Sequence, residues 1–177
     1  MFLDIQKIPA EGLRFDRVLQ LPPLTGPGGE TLLPQGVRLR GTATPGGRGA
    51  DLRAHLDAEV TLTCGRCLDP VPFPISTDVS LILVREDVAP EPAGEMEVTD
   101  DDAALFACPE GKADLGALAT EQLYLALPLK PLCSQACLGL CAQCGQNRNR
   151  AACDCQREEI DPRLAPLIQF KKTPSGS

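Results

Sequence analysis

Residues 52–75 read Leu52-Arg-Ala-His-Leu-Asp-Ala-Glu-Val-Thr-Leu-Thr-Cys64-Gly-Arg-Cys67-Leu-Asp-Pro-Val-Pro-Phe-Pro-Ile75. Up to Thr63 they predict a strand, with Val60 and Leu62 on one face at period two. Cys64-Gly-Arg-Cys67 then interrupts the run. Beyond it Val71, Phe73 and Ile75 keep the two-residue spacing through Pro72 and Pro74, and Val79, Leu81 and Leu83 carry it on. Proline withholds an N–H from a ladder, so the second run suits an edge strand or an irregular strand entry.

Toward the N-terminus, Phe2-Leu-Asp-Ile-Gln, Phe15-Asp-Arg-Val-Leu-Gln-Leu and Val37-Arg-Leu-Arg-Gly-Thr-Ala are further short strand candidates. Residues 22–36 are dense in Pro and Gly and read as a long loop. Toward the C-terminus, residues 86–102 form an acidic, solvated loop, and its closing Asp run can cap a short helix over Ala103-Ala-Leu-Phe106. Asp114 can cap a helix from Leu115 to about Leu127, ended by Pro128, with Leu115, Leu118, Gln122 and Leu125 as its apolar stripe and Leu123 and Leu127 widening it. A second helix can begin at Asp161-Pro162. The expected fold is α+β: an antiparallel meander or small barrel, one or two helices, and a cysteine-rich zinc-knuckle segment. Residues 1–112 make the β-rich domain, and residues 113–177 the helix with a cysteine module packed on it.

The chain is 177 residues long, with no Trp, one Tyr and five Phe, so Leu, Val, Ile and Ala must build the core. The first residues lack a charged segment followed by the apolar run of a secretory signal, and no stretch approaches the roughly 18 apolar residues of a membrane helix. A cytoplasmic chain with no membrane partner is therefore expected. Reducing conditions there make close cysteine pairs metal ligands rather than disulfides, and nine cysteines is an odd number for a closed disulfide framework. The formal net charge of −7 argues against bulk binding to nucleic acid. Residues 1–129 carry 10 Lys/Arg against 20 Asp/Glu, while residues 130–177 carry 7 against 4. Four thiolates on one zinc add about −2, which cancels most of the positive tail. An acidic body of this kind suits a basic protein partner.

Eight of the nine cysteines fall into pairs: Cys64 with Cys67, Cys133 with Cys137, Cys141 with Cys144, and Cys153 with Cys155. The strongest signal is Cys141-Ala-Gln-Cys144, with Gly145 next, and, with eight residues between Cys144 and Cys153, Cys153-Asp-Cys155. Two thiolates on a tight turn bind one zinc from the same side, Gly145 permits the positive φ of that turn, and the second pair closes a tetrahedron. Cys64, Cys67, Cys133 and Cys137 then remain for a second site, which only the fold can assemble. A rival grouping joins Cys133 and Cys137 to Cys141 and Cys144. One or two zinc ions are expected accordingly. Cys108 stands alone and reads as a small hydrophobe near the surface of the core.

Redox use of Cys64-Gly-Arg-Cys67 would call for a helix N-terminus, and the prolines that follow forbid one. None of the usual ferredoxin spacings occurs. His55 is the sole histidine and reads as an ordinary strand residue. No hydrolase elbow, phosphate loop or dinucleotide fingerprint is present, so neither an enzyme nor a small-molecule substrate is expected. Arg148, Arg150 and Arg157 lie beside Asn147 and Asn149. They read first as a solvated polar turn and second as a small contact surface for RNA or a partner. No aromatic side chain interleaves them for base stacking.

Three stretches together resemble the YceD family, the bacterial large ribosomal RNA subunit accumulation proteins. They are Cys64-Gly-Arg-Cys67-Leu-Asp-Pro-Val71; Leu127-Pro-Leu-Lys-Pro-Leu-Cys133; and Cys137-Leu-Gly-Leu-Cys141-Ala-Gln-Cys144-Gly-Gln-Asn-Arg-Asn149, continued by Cys153-Asp-Cys155 and Asp161-Pro-Arg-Leu-Ala165. The likeness spans roughly residues 55–170. It implies a non-catalytic factor for accumulation of large-subunit ribosomal RNA, acting through a basic ribosomal protein or pre-ribosomal particle. It makes the eight paired cysteines the motif positions and supplies no active site. Arg148 departs from the family pattern, which places an apolar residue between the two asparagines, and this bears on how the turn packs. A thiol-based metal or redox sensor is the alternative class, and a zinc-stabilised binding protein with an unrelated partner is a third reading.

Overall fold

The computed structural model describes residues 1–47, 49–86, 104–155 and 163. Its strands are β1 (Phe2–Asp4), β2 (Leu13–Val18), β3 (Leu24–Thr25), β4 (Thr31–Leu32), β5 (Gln35–Pro45), β6 (Ala50–Thr63), β7 (Pro70–Arg85), β8 (Leu105–Cys108) and β9 (Lys112–Asp114), and its helix is α1 (Leu115–Ala126). Five of the strands form one sheet in the order β2-β5-β6-β7-β8. The first three pairings are antiparallel, so β5-β6-β7 is the expected meander. The last is parallel, over Ile82–Arg85 of β7 and Leu105–Cys108 of β8. The described strands thus make an open mixed sheet with β2 and β8 at its edges, not a closed antiparallel barrel.

Alternation explains the sheet's two faces. On β6, Leu52, Leu56, Val60 and Leu62 are buried, while Asp51, Arg53 and Glu59 point outward. Val37, Leu39 and Ala43 of β5 and Ile75, Val79 and Leu83 of β7 complete the inner face. Gly41 of β5 lies opposite Ala54, and a Cβ there would meet the Arg53 carbonyl, so glycine lets the two strands close. The prolines of β7 pair on one side only: Pro70, Pro72 and Pro74 face β6, and β8 joins from Ile82 onward. Their other edge needs no N–H, as anticipated for an edge segment.

Helix α1 starts at Asp114, whose carboxylate accepts the Gly116 N–H at 2.9 Å. Leu115, Leu118, Ala119 and Leu123 are its buried side chains and belong to the same core cluster as the inner sheet face. The expected stripe through Leu125 is corrected: Leu125 is 73% exposed, because the stripe advances by three, four and eight residues and Leu125 lies outside it. Residues 105–108 are strand rather than helix, since their open backbone groups complete the free side of β7. The Pro/Gly-rich loop holds the short hairpin β3–β4, anchored by buried Leu24 and Leu32. The acidic loop past Glu86 and the helix expected from Asp161 lie outside the described residues.

His55, on the outer face of β6, has Nδ1 2.7 Å from Asp78 Oδ1 and Nε2 3.0 Å from Ser76 Oγ and 3.2 Å from Asp57 Oδ1. The order Ser–His–Asp is that of a hydrolase triad, but the chemistry is opposed. The Asp78 carboxylate, with Asp57 beside it, raises the His55 pKa above its ordinary value and favours imidazolium over a free base. A histidine whose folded pKa exceeds its unfolded value stabilises the fold fully below the unfolded value, and loses that contribution as pH rises through the folded one. His55→Gln is expected to melt below the parent at about pH 5.5 and level with it at about pH 8.5. Equal gaps at both values, in parallel thermal melts, would count against the assignment.

Candidate metal centres

The first tetrad forms where β6 ends. Cys64 and Cys67 sit on the turn between β6 and β7, and the Cys64 N–H donates to the Asp69 carbonyl at 2.9 Å. Leu68 takes φ 61° to make that turn, a left-handed conformation uncommon outside glycine. The segment after α1 returns across it: the Gly65 N–H donates to the Pro131 carbonyl, and the Leu140 N–H to the Arg66 carbonyl at 3.0 Å. Arg66 Nη1 also donates to the carbonyls of Gln135 and Cys137. Cys133 and Cys137 are delivered in this way beside Cys64 and Cys67, some 65 residues away in sequence.

All four sulfurs lie within 4.8 Å of one another. Cys64 and Cys137 are 3.9 Å apart, Cys67 and Cys133 3.6 Å. A tetrahedron with Zn–S bonds of about 2.3 Å has edges of about 3.8 Å, so both separations suit one ion. Cys64, Cys67 and Cys137 are buried in a small cluster of their own with Val71 and Leu132 against it.

Cys141, Cys144, Cys153 and Cys155 form the second tetrad, also within 4.8 Å and more exposed. Its turn is closed by the Gly145 N–H on the Cys141 carbonyl at 2.9 Å and the Cys141 N–H on the Gln146 carbonyl at 2.8 Å. Gly145 has φ 72°, the positive value expected of it. The structure thus divides the cysteines four and four, and the rival grouping of Cys133 and Cys137 with Cys141 and Cys144 is not the one it brings together. Cys108, the last residue of β8, is fully buried in the main core rather than near its surface; burial raises its pKa.

The electrostatics of both tetrads suit a cation. Burial works to raise Cys64, but N–H groups of Cys133, Cys67 and Arg66 outweigh it and bring the thiol down to about 6. Cys67 gains from the Asp69 N–H, yet desolvation and the neighbouring sulfurs push it to about 12. In the second tetrad the Cys144 and Gln143 N–H groups lower Cys141 to about 6, whereas the Cys144 sulfur raises Cys155 to about 12. Four sulfurs this close cannot all ionise alone, and a divalent cation removes the conflict. An all-sulfur tetrahedral set fits zinc or iron.

Of the arginines in the candidate contact surface, Arg150 is committed to Asp69 at 2.7 Å. Arg148, the position that departs from the family pattern, is exposed. Arg157 lies outside the described residues. Three polar groups, Asp69, Asn147 and Asn149, join the two tetrads. The sequence places them in the stretches that carry the family resemblance, the asparagines also in the polar turn, and indicates no partner for any of them.

Fold and site together define a β-sheet protein with two cysteine tetrads, one built into the sheet and one on an appended turn. The family model described as "Large ribosomal RNA subunit accumulation protein YceD" matches residues 52–171, and the chain belongs to the YceD family. It is similar to the chloroplastic YCED homolog 1 proteins of Arabidopsis thaliana, 32% identical over 133 residues, and Zea mays, 27% over 130. Those alignments cover 64% and 61% of this chain and 41% and 44% of the plant proteins, so the chain spans less than half of their length. The Bacillus subtilis protein YlbN, whose name carries the word uncharacterized, is 25% identical over 171 residues, 95% of this chain and 93% of YlbN. No solved structure matches.

Proposed function

We propose that this chain is a non-catalytic, zinc-binding factor that supports accumulation of large-subunit ribosomal RNA during assembly of the large ribosomal subunit. One observation carries the reading: the family match runs from residue 52 to 171 and so takes in both tetrads. The plant relatives bear the accumulation role in their names. Each tetrad holds one zinc as a structural ion, because four thiolates leave no open position for a substrate or water. The chain divides near residue 112 into a β-rich body and a helix-plus-tetrad module, joined through the first centre. It acts in the cytoplasm, and among the described residues no helix is long and apolar enough to cross a membrane.

The partner is a basic ribosomal protein or a pre-ribosomal particle. Support comes from the acidic body and from exposed apolar side chains flanking the first tetrad, Leu68, Leu129 and Leu138, which are 62%, 93% and 58% exposed. Deleting the gene is expected to lower large-subunit RNA relative to small-subunit RNA. Complementation by the parent, but not by a chain lacking either tetrad, should restore the ratio. Unchanged ribosome profiles in a clean deletion would sink the reading.

A further inference from the structure

Resting on the zinc assignment above, we propose that Asn149, carried on the second tetrad's turn, is a positioning residue of the first centre, so that the first centre is complete only while the second is folded. Asn149 Nδ2 donates toward Cys137 Sγ at 3.2 Å. Its amide orientation is fixed by the other end, where Oδ1 accepts the Leu138 N–H at 2.8 Å. Asn147 Oδ1 takes the Asn149 N–H and Nδ2, each at 3.0 Å. Asn147 Nδ2 then donates to Asp69 Oδ2 at 2.9 Å, and that oxygen lies 3.6 Å from Cys67 Sγ. Arg150 neutralises the other Asp69 oxygen at 2.7 Å.

The result is one chain of contacts, Cys137–Asn149–Asn147–Asp69–Cys67, touching two sulfurs of the first tetrad. Asn147, Asn149 and Arg150 all lie among the eight residues between Cys144 and Cys153, both ligands of the second. Fixing those two cysteines to one ion fixes the ends of the segment, and the segment holds the network in register. Groups just outside a metal's ligands orient them and tune their charge, and losing one typically lowers affinity about 10–100-fold. An N–H aimed at a thiolate stabilises the charge that binds the ion. Coupling between the two centres therefore runs through the Asn149–Cys137, Asn149–Leu138, Asn147–Asn149 and Asn147–Asp69 hydrogen bonds. The Asp69 carboxylate meets Cys67 as a neighbouring charge that Arg150 neutralises.

The test is exchange of the bound zinc for isotopically enriched zinc added in excess to the full chain, followed by native mass spectrometry, so that both centres stay loaded throughout. The exposed second centre exchanges in a fast phase and the buried first centre in a slow one. Asn149→Asp keeps the acceptor for Leu138 and removes the donor to Cys137; it is expected to speed the slow phase about tenfold and leave two zinc ions bound at the start. Asp69→Ala, which removes the acceptor of Asn147 Nδ2 from the sheet side, should give a similar change, and the double variant little more than either alone. Cobalt-loaded protein adds a readout that general loosening does not move, a shift in the first centre's sulfur-to-metal absorption band in Asn149→Asp. Two ions with an unaltered slow phase and band in both variants would overturn the coupling and leave the zinc assignment standing. A parent chain that binds no zinc would overturn both.

Discussion

Cys64→Ser is expected to carry one zinc where the parent carries two, and to release the whole segment beyond Pro128 from the sheet. Cys64 is fully buried, its sulfur accepts the Cys133 N–H at 3.4 Å and it lies 3.9 Å from Cys137. A serine hydroxyl is a shorter and harder donor, and the other three thiols cannot close a tetrahedron without it. Structural zinc is worth about 10–16 kcal/mol in zinc-finger peptides, comparable with the 5–15 kcal/mol that stabilises a typical domain. A segment held by that ion and a few backbone bonds has nothing else of that size to keep it docked. Cleavage by chymotrypsin after Leu132 and Leu138, and by trypsin after Arg148 and Arg150, should rise at least about tenfold. Cys144→Ser should also bind one zinc, but with new cleavage confined to Arg148 and Arg150, because the Gly65–Pro131 and Leu140–Arg66 backbone bonds belong to the first centre. The main core contains none of the eight paired cysteines, so both variants should keep the sheet. Limited proteolysis with mass analysis decides the matter, and identical fragment patterns in the two variants would count against separate roles for the centres.

Parts of this structure were legible in the sequence. The meander was, because β6 alternates strictly between buried and outward-facing residues and a one-residue slip would turn Leu52, Leu56 and Val60 to solvent. The second tetrad was, because its four ligands lie within fifteen residues and Gly145 marks the turn. The first tetrad followed as the residual grouping, yet a 65-residue gap carries no local signal, and it takes contacts of Gly65, Arg66 and Asp69 with the returning chain to assemble it. Local pattern also misread Leu105 and Phe106, the end of the short helix expected from Ala103, which open strand β8 instead. Four residues cannot declare a period, and the unmet backbone groups of β7 make them a parallel strand. Leu125 failed for a related reason: several registers of a Leu-rich helix look apolar, and contact with the sheet selects one. Asp69, Asn147 and Asn149 read as ordinary turn residues, since their partners are sulfurs and carboxylates far away in sequence.

Alkylation of the native, zinc-loaded chain is expected to leave all nine cysteines unmodified over minutes, and chelation should then expose eight of them. The thiolate is the reactive form, so a low-pKa exposed cysteine would ordinarily react first. Cys141 is drawn to about 6 by the Cys144 and Gln143 N–H groups, and Cys144 and Cys155 are exposed. A zinc ion takes up that same thiolate charge, so coordination converts the most reactive sulfurs into protected ones. Cys108 behaves in the opposite sense: it is fully buried, its thiol is pushed up by desolvation, and no tetrad includes it. It should therefore resist labelling with or without chelator and react only after denaturation, which gives an internal marker that the sheet has stayed folded. A structural factor and a thiol sensor part at this point. The sensor needs at least one sulfur that reacts within seconds while zinc is bound, and ejection of the ion as it does so. Fast modification of Cys144 or Cys155 in the loaded chain, with one zinc lost per event, would shift the reading of the second centre from a structural clasp to an oxidant-responsive one. Eight modifications appearing only after chelation, with Cys108 silent throughout, leave both centres structural.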